Sequence, residues 1–187
     1  MLKNGYLASG GDDSVVNIWN TSTGLIVEAL TKHELSILGL LVLQNGNLVS
    51  VSLDKTLKIW NTDKGTVIKE FKNDLYDGVF NMKLLLDNDL AFSFISNNEI
   101  RILNSTNGVF ERNITNTEYY GPISVLSNGL LGSVSPWLIT IWNTTDGKVN
   151  KTINITSSES SALVMTTLTN DDIAYGLIND IYIWSYF

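Results

Sequence analysis

The sequence predicts an all-β fold of short antiparallel sheets set in series, and three observations predict it. A phrase built on Trp-Asn-Thr and closed by Gly recurs at Val16 to Gly24, Leu57 to Gly65 and Ile139 to Gly147, with a worn copy at Ile100 to Gly108 and a clipped one at Ile181 to Trp184. Its anchors, Trp19, Trp60, Leu103, Trp142 and Trp184, lie 39 to 43 residues apart. A fixed period near forty is the signature of a repeat architecture. Second, a hairpin pair keeps the same period, at Asn4-Gly5, Asn45-Gly46, Asn88-Asp89, Asn128-Gly129 and Asn170-Asp171. Third, β-branched runs are interrupted too often for the sustained three- and four-residue apolar spacing of a helix.

The second repeat serves as the reference. Ser36 to Leu43 is almost wholly apolar, as expected of an innermost strand buried on both faces. Asn45-Gly46 is a hairpin signal of the type I′ kind, which needs two residues tolerant of positive φ. Leu48 to Ser52 alternates as a second strand, Asp54-Lys55 turns the chain, and Thr56 to Trp60 is a third strand. In Asn61 to Gly65 the Asn can bond to backbone two residues on, and the Gly supplies positive φ. Thr66 to Phe71 closes the unit as a more polar outer strand. Four strands running from apolar to polar make a wedge of sheet, and wedges stacked radially make a β-propeller. Repeat three departs most, with Leu103 for Trp and Asn97 where Asp13 and Asp54 stand. Repeat four shortens its second-to-third strand turn at Pro136-Trp137, and repeat five shortens the same turn near Asn179-Asp180.

Composition narrows the function classes. Five Trp and 44% hydrophobic residues belong to a folded domain, and two Pro leave no linker. The net charge of −7, with no Lys/Arg cluster, argues against nucleic acid and anionic membrane as partners. Cysteine is absent, which removes disulfides and thiolate metal sites. No run approaches the roughly 20 apolar residues of a membrane span, and Met1 to Gly5 opens no signal-peptide core. The expectation is an intracellular, cytoplasmic protein. Asn20, Asn104, Asn113, Asn143, Asn150 and Asn154 open Asn-x-Ser/Thr sequons; a chain that uses Asn, Ser and Thr for its turns produces these by chance.

Residues 45–65, NGNLVSVSLDKTLKIWNTDKG, and 4–24, NGYLASGGDDSVVNIWNTSTG, resemble WD40 repeats. The resemblance extends over the whole chain, in units of approximately 4–44, 45–87, 88–127, 128–169 and 170–187 of a single region 1–187. It implies a WD40-like β-propeller of four-stranded antiparallel blades, about 4.5 of them. It also implies a buried hydrogen-bonded set of His33, Ser50, Asp54 and Trp60, His33 standing in Lys32-His33 where the family has Gly-His. The first repeat keeps Ser9, Asp13 and Trp19. The later repeats keep parts: Ser93 with Asn97, Ser133 with Trp142, and Trp184. The family closes rings of about seven blades, roughly 300 residues at 40–45 per blade. Repeat one lacks an inner strand and repeat five an outer one, so a fragment of a longer propeller is the first expectation. An open arc that self-associates through its exposed blade edges and a closed four- or five-bladed ring are the alternatives.

Little in the sequence points to chemistry. Zinc wants His or Cys clusters, calcium loops want carboxylates at alternating positions, and Asp12-Asp13 and Asp171-Asp172 are adjacent instead. No cofactor, metal site or catalytic set is expected, and the lone His33 reads as structural. The resemblance implies a non-catalytic scaffold that binds proteins or peptides through the loops between blades. Exposed aromatics in polar loops are enriched as interface anchors, which selects Tyr76, Tyr119, Tyr120 and Trp137. Glu34, Asp74, Asp77 and Glu118, with Asp12, make that face acidic and suited to a basic partner segment. The alternative from another class is a carbohydrate-binding or glycosidase-like propeller.

Overall fold

The computed structural model describes residues 1–2, 5–72, 78–94, 99–115, 121–135, 137–155, 164–176 and 180–185. These residues form strands and turns, with no helix among them. The chain divides into two compact units, Met1–Val79 and Phe80–Phe187.

The first unit holds two antiparallel sheets. One is β1 (Leu7–Gly10), β2 (Val16–Asn20) and β3 (Leu25–Leu30), in that order. The other is β4 (Ile37–Val42), β5 (Leu48–Ser52), β6 (Thr56–Asn61) and β7 (Thr66–Lys72). Leu2, Val16, Ile18 and Leu30 pack against Ile37, Leu48 and Trp60 to form its core. The outer strand β7 is mostly exposed, as its sequence predicts, but the innermost strand β4 is only half-buried at five of its six positions, so it is the middle strand β5, buried at every position, and not β4 that is covered on both faces.

The second unit holds three sheets. They are β8 (Val79–Leu84), β9 (Leu90–Phe94), β10 (Glu99–Leu103) and β11 (Phe110–Thr115); β12 (Ile123–Val125), β13 (Leu131–Val134), β14 (Leu138–Trp142) and β15 (Val149–Asn154); and β16 (Val164–Thr167), β17 (Ile173–Gly176) and β18 (Ile181–Trp184). One apolar cluster joins the first two of these sheets through Leu85, Ala91, Ile100 and Ile102 against Ile123, Leu131 and Trp142. A second joins the last two through Val134, Ile139 and Ile141 against Met165, Ile173 and Tyr175.

The turns correct two readings. The first hairpin of each repeat is not type I′. Gly46 N–H donates to Leu43 O at 2.9 Å and Leu43 N–H to Asn47 O at 2.9 Å, and only Gly46, at φ 92°, is left-handed. The loop is therefore a three-residue turn with one positive φ, the second commonest hairpin solution. Asn45 contributes its side chain instead, Oδ1 accepting the Asn47 N–H at 3.0 Å. The same bonds recur around Leu2, Leu85, Leu126 and Leu168, a period of leucines, all but Leu168 buried, that the tryptophans overshadow in the sequence. They also shift the third repeat by one residue. Asn88, at φ 72°, takes the Gly46 place and Asp87 caps Asp89 N–H at 3.0 Å, so the pair is Asp87-Asn88 and not Asn88-Asp89.

The third-to-fourth strand turns follow the expected chemistry. Asn61 Oδ1 accepts the N–H groups of Asp63 and Lys64 at 3.0 and 3.1 Å, and Gly65 has φ 62°. Asn20 and Asn104 do the same for their own turns.

Candidate functional site

The residues brought together most tightly are those of the second sheet. Trp60 on β6 faces Leu48 on β5 in register. Ser50, two residues further along β5, shares that face with Trp60. Trp60 Nε1–H donates to Ser50 Oγ at 2.7 Å. His33, just before β4, places Nε2 2.7 Å from Ser50 Oγ and Nδ1 2.7 Å from Asp54 Oδ2. Asp54 sits in the turn from β5 to β6, where it also accepts Glu34 N–H at 3.0 Å, Thr56 N–H at 2.9 Å and Thr56 Oγ–H at 2.6 Å. The network assigns the tautomer. A neutral imidazole donates from Nδ1 to the carboxylate and accepts the Ser50 hydrogen at Nε2, while Ser50 Oγ accepts the indole hydrogen.

Electrostatics follow from that enclosure. Burial is the largest influence on His33 and holds its pKa below the ordinary value, outweighing the pull of Asp54. For Asp54 burial is again the largest single influence and acts upward. The bonds from Thr56, Glu34 N–H and His33 together overcome it and bring the carboxyl down to about 2.

A serine, a histidine and an aspartate in one hydrogen-bonded line have the connectivity of a nucleophilic triad. Their surroundings do not. Ser50 is 0% exposed, the His33 side chain is likewise sealed, and one lone pair of Ser50 Oγ is committed to the indole. No carbonyl substrate can reach that oxygen, so the set fastens the loop before β4 and the β5–β6 turn to the sheet.

The other repeats satisfy or abolish the same need. Trp19 donates to Ser9 and Trp142 to Ser133, each at 2.8 Å. In the third sheet the one-residue shift matters, because Leu103 faces Leu90 and Phe92 then holds the Ser50 place. Ser93 lies on the opposite face and its buried Oγ has no partner among the described residues. Ser93 is therefore not the counterpart of Ser50; the indole and its acceptor are both replaced by apolar groups. In the fifth sheet Trp184 faces Ile173, so Tyr175 holds that place and stacks on Tyr182 at 5.5 Å. Reading the hairpin by its left-handed residue finds both substitutions; aligning Asn with Asn finds Tyr175 but puts Ser93 in the place of Phe92. Thr56, an essential donor to Asp54, also escaped the motif.

Of the residues selected as partner contacts, Glu34 and Trp137 are described. Both are exposed, Trp137 at 56%. The Trp137 backbone is fixed: its carbonyl accepts Ile155 N–H at 2.8 Å, and Ser135 N–H bonds Leu138 O at 2.8 Å across the shortened turn. Asp74, Tyr76, Asp77, Glu118, Tyr119 and Tyr120 lie outside the described residues.

Residues 24–61 match the family model "WD domain, G-beta repeat". No curated protein matches the chain at a significant level. Among solved structures, the chain is similar to the crystal structure of the WD40 beta propeller domain of Doa1, with a TM-score of 0.79 and 23% sequence identity. That match covers 98% of this chain and 61% of the other, so the chain spans less than two thirds of the length of that protein.

Proposed function

From a chain that carries a WD40 repeat at residues 24–61 and has the WD40 β-propeller fold, we propose a non-catalytic scaffold that binds a partner protein or peptide through its inter-sheet loops. Propeller domains of this kind generally serve as interaction scaffolds, and loops held on a rigid framework are where recognition concentrates. The observation that carries the reading is Trp137: a large aromatic exposed on a turn whose backbone is pinned on both sides. A rigid aromatic anchor of that kind gives contact area at small entropic cost.

The partner segment is basic. Glu34 is exposed, and Asp74, Asp77 and Glu118 stand at the corresponding sequence positions of the following repeats. The site of action is the cell interior. Self-association belongs to the same proposal, since Ile181 and Ile183 stand 79% and 65% exposed on β18, against 0% and 4% for Leu57 and Ile59 at the equivalent places on β6. No observation favours the carbohydrate reading. Affinity capture with the wild-type chain and with Trp137→Ala tests the anchor. A loss of about tenfold or more in partner recovery at unchanged melting temperature is expected, and full recovery would remove Trp137 from the interface. Charge reversal at Asp74 and Asp77 should weaken the same capture; an unchanged yield refutes the basic segment. Light scattering decides self-association, which a stable monomer at working concentration would exclude.

A further inference from the structure

The outer strands carry one residue whose charge departs from the repeat. Each sets a charged side chain opposite the same isoleucine of the third strand: Glu28 opposite Ile18, Lys69 opposite Ile59, Arg112 opposite Ile102 and Lys151 opposite Ile141. Three of these are cations and the first is a carboxylate. In the second unit the cation reaches forward to the next sheet. Arg112 donates to Thr144 O while Asp89 lies 3.5 Å from its guanidinium. Lys151 Nζ lies over the Trp184 ring, 4.8 Å from its centroid.

Between the first two sheets the chain supplies an anion at that place, and a cavity of about 350 Å³ lies beside it. Tyr6, Ile18, Val27, Glu28, Thr62 and Asp63 line it. Thr62 is the counterpart of Thr144 in the repeated phrase, and Tyr6 holds the hairpin place of Asp89. Glu28 leans onto the second sheet, since a Cβ added at Gly65 would lie 2.9 Å from its Oε1. Glu28 and Asp63 are both exposed, so the cavity is open to solvent at its acidic side. No hydrogen bond or ion pair joins either carboxylate to a described residue.

The lining selects a long cation. Two carboxylates on one cavity favour positive charge between them. Ile18 and Val27 suit the methylene stem of a side chain whose head stays polar. A guanidinium pairs with carboxylates through two parallel N–H bonds and also stacks on an aromatic ring, which Tyr6 supplies. The neighbouring strand favours a protein as the source of that group. Leu25, Ile26 and Val27 are exposed on β3, and β3 is paired on one side only, at the end of its sheet.

We propose that this cavity is a recognition site for an arginine side chain of a partner protein. Its guanidinium pairs with Glu28 and Asp63, in the place that Arg112 fills from within the chain between the third and fourth sheets. The site adjoins the Asn61 end of β6, whereas Glu34 meets Asp54 at the other end. It therefore stands or falls independently of the basic segment proposed for the loops.

The test is NMR of the full 15N-labelled chain at low salt. It is titrated with a blocked pentapeptide that has arginine at its centre, flanked by threonine and valine, and separately with the same peptide carrying citrulline, the neutral isostere. The Gly65 amide signal should shift and saturate with the arginine peptide, at a concentration about fivefold or more below that for citrulline. Gly147, the counterpart of Gly65 on the sheet that Arg112 already reaches, is the internal control and should stay in place. Glu28→Lys sets there the cation that β7 and β15 carry and should abolish saturation. The proposal is overturned if Gly65 does not move, if Gly65 and Gly147 drift alike, or if the two peptides half-saturate together. Unchanged binding to Glu28→Lys overturns it as well. The wild-type comparison of arginine with citrulline decides the matter even where the variant fails to fold.

Discussion

At the scale of single residues, Trp60 and Ser50 are both fully buried and hydrogen-bonded to each other. Trp60 is 0% exposed, and Trp60→Ala should cost about 3–5 kcal/mol, read as a lower urea midpoint at unchanged slope. Ser50→Ala strands both the indole N–H and His33 Nε2 and should cost about 1–3 kcal/mol. Protonation gives the set a pH signature. Asp54 has a folded pKa of about 2 against 3.8 unfolded, so its contribution is complete above 3.8 and is lost as pH falls towards 2. That contribution is about 2 kcal/mol. His33 is held below 6.5, so as pH drops past 6.5 the unfolded chain takes up the proton first and stability declines. Both slopes have the same sign. Denaturation at pH 7.5, 5.5 and 3 should show a stepwise loss in the wild type, with the upper step missing in His33→Phe. A pH-independent midpoint between 7.5 and 5.5 would contradict the neutral, buried imidazole.

At the scale of elements, strands were the legible part, because period-two burial and periodic turn residues survive in the letters. Ser36 to Leu43, Leu48 to Ser52, Thr56 to Trp60 and Thr66 to Phe71 each lie within a residue of the observed strands. Backbone angles were not legible. Asn-Gly supports both a type I′ turn and a three-residue turn, and only the bond from Gly46 N–H to Leu43 O separates them. The same ambiguity displaced the third hairpin and with it the Ser93 assignment. Corrected, that sheet makes a prediction. Phe92 and Leu103 replace a serine and a tryptophan on one face, where Phe92 also meets Phe110 edge-on at 6.0 Å. Phe92→Ser alone should cost about 3 kcal/mol or more, and Leu103→Trp alone should strain a filled core by about 1–3 kcal/mol. Together they recreate the indole–hydroxyl bond of Trp60 and Ser50. The double variant should therefore be more stable than the sum of the singles, by about 0.5–3 kcal/mol. Strictly additive thermal-denaturation losses would mean that the two places do not share the fastener geometry.

At the scale of the molecule, the repeat tells which sheets exist but not how neighbouring sheets are stitched. In the second unit the stitches are made by residues that break the repeat. Asp171 occupies the left-handed place that Gly46 and Gly129 hold elsewhere, and the side chain that glycine lacks reaches the previous hairpin. Its carboxylate accepts Ser127 N–H at 2.8 Å and also the Ser127 hydroxyl. Those two bonds hold the Asp171 carboxyl below its ordinary pKa. Thr167 adds a second stitch, donating to Val125 O at 2.9 Å and to Ser124 Oγ from its N–H, while Arg112 ties the third sheet to Thr144 O of the fourth. The fifth sheet needs these bonds most, because its third strand is exposed at three of four positions while β9 and β13 are buried throughout. Few buried contacts and open edges mark the segments that unfold locally first. Hydrogen exchange should accordingly rank β9 and β13 as slowest and β16 to β18 as fastest. Asp171→Gly restores the glycine of the first, second and fourth hairpins and cuts the stitch without straining the turn. It should accelerate exchange in β16 to β18 by about tenfold while leaving β9 unchanged. Equal acceleration in β9 and β17 would show one cooperative unit in place of a separately fastened last sheet.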